Sequence, residues 1–121
     1  MKITRLYTGT DNKSYFEDVE FACDQKGDIT STDAGRQSVP IEVTSLILRE
    51  VKADHNPKWH TAPRRQFIVV FEGELEIEIE DGTKRRFGPG SIFLAEDTTG
   101  QGHITRSVNN QPRKVAFITL D

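Results

Sequence analysis

The feature that most constrains the fold is a strict alternation of apolar and acidic residues in the sequence ELEIEIE, at residues 74–80. Leucine or isoleucine occupies every second position, which is the period of a strand with one buried face. The Asp81-Gly82 pair that follows is typical of a hairpin turn, and the sequence TKRRF supplies a second strand. This segment therefore predicts an antiparallel hairpin that lies on one side of a hydrophobic core.

The register of this hairpin follows from which side chains must share a face. A two-residue loop would set Ile77 opposite Arg86 and would mix the buried face with the solvent face. A three-residue loop with Gly82 in the left-handed conformation keeps the faces apart and pairs the glutamates with basic residues. We therefore predict the three-residue loop. The predicted opposite pairs are Leu75 with Phe87, Glu76 with Arg86, and Glu78 with Lys84.

The longest apolar run, at residues 66–72, predicts a strand that is apolar on both faces. Gln66, Ile68 and Val70 share one face, and Phe67, Val69 and Phe71 share the other. Such a strand needs a cover on each side, so we expect a homodimer that buries the outer face. The alternative cover lies in residues 1–38, which we expect to form an N-terminal strand followed by an arm whose aromatic side chains dock on the domain.

Length and charge restrict the class of protein and its partners. A chain of 121 residues fits one domain, and its 19 acidic and 16 basic residues are interspersed, so we expect neither a nucleic acid nor a membrane as partner. The single cysteine, Cys23, and an N-terminus without the apolar core of a signal peptide favour a cytoplasmic protein.

The rest of the chain adds strands and no helical period. In residues 39–51, β-branched and aliphatic side chains recur at a spacing near two. Residues 91–95 and 114–120 are further short apolar runs between turn signals. Roughly eight or nine short strands with regularly spaced turns indicate an all-β fold, an antiparallel jelly-roll sandwich or barrel. Residues 39–121 would form its core.

Four positions between residues 59 and 73, His60, Ala62, Gln66 and Gly73, resemble the first motif of the cupins, a family of small β-barrels. That motif places a histidine, any residue, a second histidine, three residues and a glutamate, followed by a glycine after six more. Here His60, Ala62, Gln66 and Gly73 stand at those positions. One imidazole and one carboxylate of the usual metal-binding set are therefore replaced.

The second cupin motif is similar to the segment that follows the hairpin. A Pro-Gly turn, a strand, a loop and a histidine match Pro89, Gly90 and His103, with a somewhat longer loop. The resemblance covers about residues 39–120 and implies a single-domain cupin barrel of a small bacterial subgroup without a characterised function.

A jelly roll would bring His60 and His103 to neighbouring strands inside one barrel, so we expect them to form a pair. Two neutral imidazoles and the Gln66 carbonyl could hold one divalent metal ion, such as Zn, Ni, Fe or Mn, and leave open positions for a substrate. The alternative is two buried histidines that are hydrogen-bonded to their neighbours.

Arg64 has the same strand parity as Gln66, so its guanidinium is expected to point inward and to bind a carboxylate. The alternative is that Arg64 and Arg65 are both solvated. We therefore expect a small-molecule enzyme of isomerase, lyase or dioxygenase type that acts on a carboxylate- or sugar-like substrate through His60 and Arg64. A metal-free binding protein and metal-free catalysis with His60 as general base are the alternatives.

Overall fold

The computed structural model describes residues 1–26, 35–53 and 56–121. Within these ranges the chain forms β-strands and no helix, as the alternating patterns predict. Part of the predicted N-terminal arm, residues 27–34, lies outside the described residues. The strands are β1 (Lys2–Thr8), β2 (Ser14–Glu20), β3 (Gln25–Lys26), β4 (Arg36–Gln37), β5 (Ser45–Val51), β6 (Gln66–Glu72), β7 (Leu75–Glu78), β8 (Lys84–Phe87), β9 (Ile92–Glu96), β10 (Ile104–Ser107) and β11 (Arg113–Thr119).

Two sheets contain most of these strands. The larger has six strands in the order β2-β1-β9-β6-β11-β5, and the smaller has three in the order β10-β7-β8. The expectation of a purely antiparallel fold is corrected in one place, because β1 runs parallel to β9. These two strands are distant in sequence, so no hairpin fixes their relative direction.

The main hydrophobic core lies between the two sheets. It joins Val70 of β6 and Phe93 of β9 in the larger sheet to Ile77 of β7 in the smaller. Phe87 of β8 stacks on Phe93 with ring centroids 4.4 Å apart. Leu6 of β1 belongs to the same core and is fully buried, so β1 contributes to the core as well as to the sheet.

The hairpin of β7 and β8 has the predicted register. Leu75 lies opposite Phe87, and the Ile79 amide donates to the Thr83 carbonyl around a three-residue loop. Gly82 in that loop has a φ of +89°, as the left-handed position requires. One ion pair differs from the predicted pairing. Glu78 accepts a hydrogen bond from Arg106 of β10 at 2.5 Å, although Lys84 lies opposite Glu78 in the register.

The outer face of β6 is covered in part by Phe21, which follows β2. Phe67 packs with Ile3 of β1 and with Phe21, whose ring centroid lies 5.7 Å from that of Phe67. Phe71, near the other end of the strand, remains 56% exposed. The arm therefore covers one end of this face and leaves the other end open.

The strand predicted to begin at Val39 begins at Ser45 instead. Residues 39–44 lie before it outside any strand, although the Thr44 amide donates to the Thr119 carbonyl of β11 at 2.7 Å, and Val39, Ile41 and Val43 are exposed. β5 itself is an edge strand of the larger sheet. The described part of the chain contains no helix long and apolar enough to cross a membrane.

Candidate functional site

A cavity of about 810 Å³ opens between the two sheets. Strands β5, β6, β9 and β11 form its wall on the side of the larger sheet, and β7 and β10 form the opposite wall. All four residues singled out in the sequence, His60, Arg64, Gln66 and His103, line it. Two motif histidines that lie far apart in the chain therefore share one cavity.

His60 and His103 face each other across an isolated antiparallel bridge. Each donates its backbone amide to the other's carbonyl, at 2.9 Å and 2.8 Å, and their ring centroids are 4.6 Å apart. The preceding residue, Gly102, makes this approach possible. Its φ is +80°, and a Cβ at this position would lie 1.9 Å from the His60 carbonyl oxygen.

Both histidine rings are oriented by a hydrogen bond at Nδ1. The His103 Nδ1 lies 2.6 Å from Asp97 Oδ2, and the His60 Nδ1 lies 2.8 Å from the Lys58 carbonyl oxygen. A carbonyl or carboxylate oxygen accepts hydrogen bonds, so in each ring Nδ1 carries the proton. In the neutral form, each Nε2 therefore holds a lone pair that is available to a ligand or a proton.

Asp97 is a site residue that sequence reasoning missed. It is fully buried, and its Oδ2 accepts a second hydrogen bond, from Ser14 Oγ at 2.8 Å. Its Oδ1 has no hydrogen-bond partner among the described residues. The sequence signal was an acidic residue six positions before His103 in a loop with two glycines, but loop acids are usually solvated.

Gln66 lies on β6, a central strand, between Ala95 of β9 and Thr119 of β11. It is 5% exposed and lines the cavity with the two histidines. Together they offer two imidazole nitrogens and an amide oxygen, donors that Zn, Ni, Fe and Mn accept. The described residues contain no group of three His, Cys, Asp or Glu side chains that could hold a metal ion, so Gln66 would have to complete the donor set.

Arg64 lies at the rim of the cavity rather than inside it. Its side chain is exposed and its Nη1 donates to the carbonyl of Asp121 at 3.4 Å. Arg65 points away from the cavity and donates to Glu96 at 2.6 Å, as its opposite parity predicts. The rim position of Arg64 suits contact with a ligand entering the cavity more than with a buried carboxylate.

Arg113 is the second residue that sequence reasoning missed. It begins β11, is 5% exposed and lines the cavity. Burial lowers the pKa of its guanidinium. In sequence it ends the turn-forming stretch NNQPR, one residue before the predicted last strand.

No family model matches this sequence. A segment of 66 residues is 36% identical to Oryzines biosynthesis cluster protein J of Aspergillus oryzae, over 54% of this chain and 35% of that protein. The chain thus spans about a third of the length of this curated relative. Among solved structures, protein NMB1881 from Neisseria meningitidis is similar with a TM-score of 0.51 and 17% identity, over 73% of this chain and 90% of that chain. At this identity the likeness concerns the fold alone.

Proposed function

We propose that this chain is a jelly-roll cupin that binds a small organic molecule between its sheets and acts on it at His60 and His103. The two facing sheets around a cavity support the barrel architecture. The positions of the cupin motifs support the site, because His60, Gln66 and His103 all line that cavity. The biosynthesis cluster named for the Aspergillus relative is compatible with small-molecule chemistry.

One observation carries this proposal: the two histidines are paired, and no hydrogen bond from the described residues reaches either Nε2. Hydrogen bonds to the Lys58 carbonyl and the Asp97 carboxylate hold both Nδ1 protons. Histidines that bind metals are held in this way, by a hydrogen bond from the other ring nitrogen. A divalent ion bound by His60, His103 and Gln66 would act as a Lewis acid on a substrate oxygen.

The protein's own residues also fit proton transfer. When no metal ion is bound there, the Nε2 of His103 can instead take a proton from a substrate, and the Asp97 carboxylate stabilises the imidazolium that forms. The ring cannot turn away, because Asp97 is held in turn by Ser14. Isomerase and lyase reactions commonly begin with a step of this kind.

The test is metal content and affinity. Protein purified without affinity metal is analysed for elements, and Zn and Ni are titrated calorimetrically into wild type, His60→Ala, His103→Ala and Gln66→Ala. We expect binding at one ion per chain and a loss of at least tenfold in affinity in each variant. Gln37→Ala, at an exposed glutamine on β4, is the matched control for Gln66→Ala. Absence of binding in the wild type would rule out the metal enzyme.

A binding protein without a metal is the second candidate, and the charge of the cavity favours it. Among the described residues, four basic side chains line the cavity, Arg49, Lys52, Arg64 and Arg113, with a single acidic one, Glu50, although the chain as a whole carries a net charge of -3. Such a lining attracts an anionic ligand. Carboxylate binding that persists without metal and without turnover would support this candidate.

We also propose that the protein is a homodimer. Leu46 and Leu48 of edge strand β5 are 64% and 71% exposed, and they lie opposite Ile118 and Ala116 of β11. They therefore share the outer face of the sheet with Ile118 and Phe67. A second copy would cover this apolar face and pair with the edge of β5 that has no neighbouring strand in the described part of the chain.

A further inference from the structure

Arg113 stands out because its charge is buried. Arg113 is 5% exposed, and no other lysine or arginine among the described residues is buried. Its Nη1 donates to Ser107 Oγ at 2.8 Å, so the side chain extends from β11 of the larger sheet to β10 of the smaller. The guanidinium therefore lies inside the gap between the sheets.

This guanidinium has no acidic partner in the part of the chain that the structure describes. The ion pairs found there do not include Arg113, and burial lowers its pKa with no carboxylate acting in the other direction. A guanidinium has five N–H donors, and one neutral hydroxyl satisfies a single donor. A buried charge with this little compensation is costly unless an anion joins it.

Arg49 lies beside Arg113 on the same wall of the cavity. In the pairing of β5 with β11, Arg49 lies opposite Val115 and Val51 lies opposite Arg113. The two arginines are thus diagonal neighbours, about 7–8 Å apart between Cα atoms. The Arg49 guanidinium stacks over the Phe117 ring at 4.5 Å from its centroid, which holds it against the wall.

The surroundings of the two arginines define the kind of anion. Val51, Leu75 and Val115 make the nearby wall apolar, which suits the carbon skeleton of an organic molecule rather than a free inorganic ion. The fork of a guanidinium matches the plane of a carboxylate. Arg113 and Thr119 begin and end β11, so the cavity runs about 20 Å along this strand to the Gln66 end.

We propose that Arg113, assisted by Arg49, binds the carboxylate of an organic ligand whose apolar body extends along the cavity toward His60 and His103. The assignment deepens the proposed function, because it rests on the cavity being a ligand site and names the group that is anchored. It replaces Arg64 with Arg113 as the residue that binds the carboxylate.

The test uses octanoate as the probe. 1-Octanol has the same alkyl chain without the charge, and acetate has the carboxylate without the long chain. Affinities are measured by calorimetry for wild type, Arg113→Lys, Arg113→Gln and Arg49→Gln. Arg86→Gln, at an exposed arginine paired with Glu76, is the matched control. We expect octanoate to bind at least tenfold more tightly than either partial probe. The Arg113 variants should lose at least tenfold in octanoate affinity, Arg49→Gln less, and the control under twofold.

A second measurement does not depend on the stability of the variants. In wild-type protein labelled with ¹⁵N-arginine, octanoate should shift the Nε–H signal of Arg113 and leave that of Arg86 in place. If octanoate binds but neither the Arg113 signal nor the Arg113→Lys affinity changes, this proposal is wrong and the proposed function stands. If no probe binds, both this proposal and the carboxylate ligand of the proposed function fail. Metal titration still tests the histidine site separately.

Discussion

Ala62 is the residue that most separates this chain from the cupin pattern, and it offers a direct test of the site. It lines the cavity two residues after His60 and is 3% exposed. A histidine there would add a third imidazole beside the pair. We expect Ala62→His to bind Zn or Ni at least tenfold more tightly than wild type, which is about 1.4 kcal/mol. Calorimetric titration measures this change.

A control for this variant is Lys84→His, which places an imidazole on the exposed face of β8. It should leave metal affinity unchanged. The melting temperature of Ala62→His should also rise when metal is added, since a ligand bound by the native state stabilises it. No detectable binding in Ala62→His would contradict the convergence of His60, Gln66 and His103 on one ion.

Asp97 is the residue that holds His103, and its replacement tests that role. Asp97→Asn keeps the shape of the side chain but removes the negative charge beside Nδ1. We expect metal affinity to fall about 10- to 100-fold, the usual effect of changing a group that orients a metal-binding histidine. The measurement is the same titration, made on protein whose folding has been checked by circular dichroism.

Ser14→Ala is the comparison for Asp97→Asn. It removes the other hydrogen bond to Asp97 Oδ2 and leaves the contact with His103 intact. We expect a loss of about 1–3 kcal/mol in the free energy of unfolding, with a smaller change in metal affinity than in Asp97→Asn. Equal effects on affinity would assign Asp97 a structural role alone.

At the level of elements, the segment that brings His103 to His60 depends on one glycine. Gly102→Ala would place a Cβ against the His60 carbonyl oxygen at a φ of +80°. We expect the bridge between the histidines to separate, at a cost above about 4 kcal/mol in the free energy of unfolding. Urea denaturation measures the stability, and metal titration reports the loss of the site.

Gly82→Ala is the matched control, because Gly82 has a similar φ of +89° but nothing within 4 Å of the added Cβ. It should cost only the backbone strain, about 1–2 kcal/mol, and should leave the cavity unchanged. A similar loss in the two variants would show that φ, rather than the close approach to His60, governs the effect.

Glu96 joins β1 to β9 and makes the contact between them sensitive to pH. It accepts hydrogen bonds from Arg5 at 2.5 Å and from Arg65 at 2.6 Å. Burial acts to raise the pKa of Glu96, but the hydrogen bonds from the two arginines outweigh it and lower the pKa. A carboxylate with a lowered pKa stabilises the fold above its unfolded pKa, about 4.3, and this contribution is lost as pH falls through the folded value.

Glu96→Gln should therefore be less stable than wild type at pH 7, by about 1–2 kcal/mol because both arginines are partly exposed. The difference should shrink as the pH falls below about 4. Urea denaturation at pH 7 and pH 3 measures it. Glu80→Gln, at an exposed glutamate of the hairpin loop, is the control. A difference of constant size at the two pH values would argue against the role of the Glu96 charge.

For the molecule as a whole, the prediction concerns its oligomeric state. We expect sedimentation at micromolar concentration to give twice the chain mass of 13.7 kDa, because a second copy would cover the apolar outer face of β5. Leu48→Glu should shift the protein to the monomer mass, since it places a charge within that face. Lys84→Glu on β8 is the control and should remain dimeric. A wild-type mass near that of one chain would contradict the dimer.

The sequence by itself determined what depends on local periodicity and turn chemistry. The alternation of residues 74–80 and the position of Gly82 predicted the register of the β7–β8 hairpin, which the structure confirms. The pattern of residues 66–72 predicted β6 with the bounds that the structure has. Such features follow from residues a few positions apart, because strand period and turn geometry act over that range.

Only the tertiary structure decided which distant residues meet. Ser14 and Asp97 are 83 positions apart and hydrogen-bond in the core, because β1 enters the larger sheet parallel to β9. Arg113 became buried because β11 runs between β5 and β6 and its side chain crosses to the smaller sheet. Burial and partner identity depend on how sheets pack, so no local pattern distinguishes Asp97 and Arg113 from the solvated charges around them.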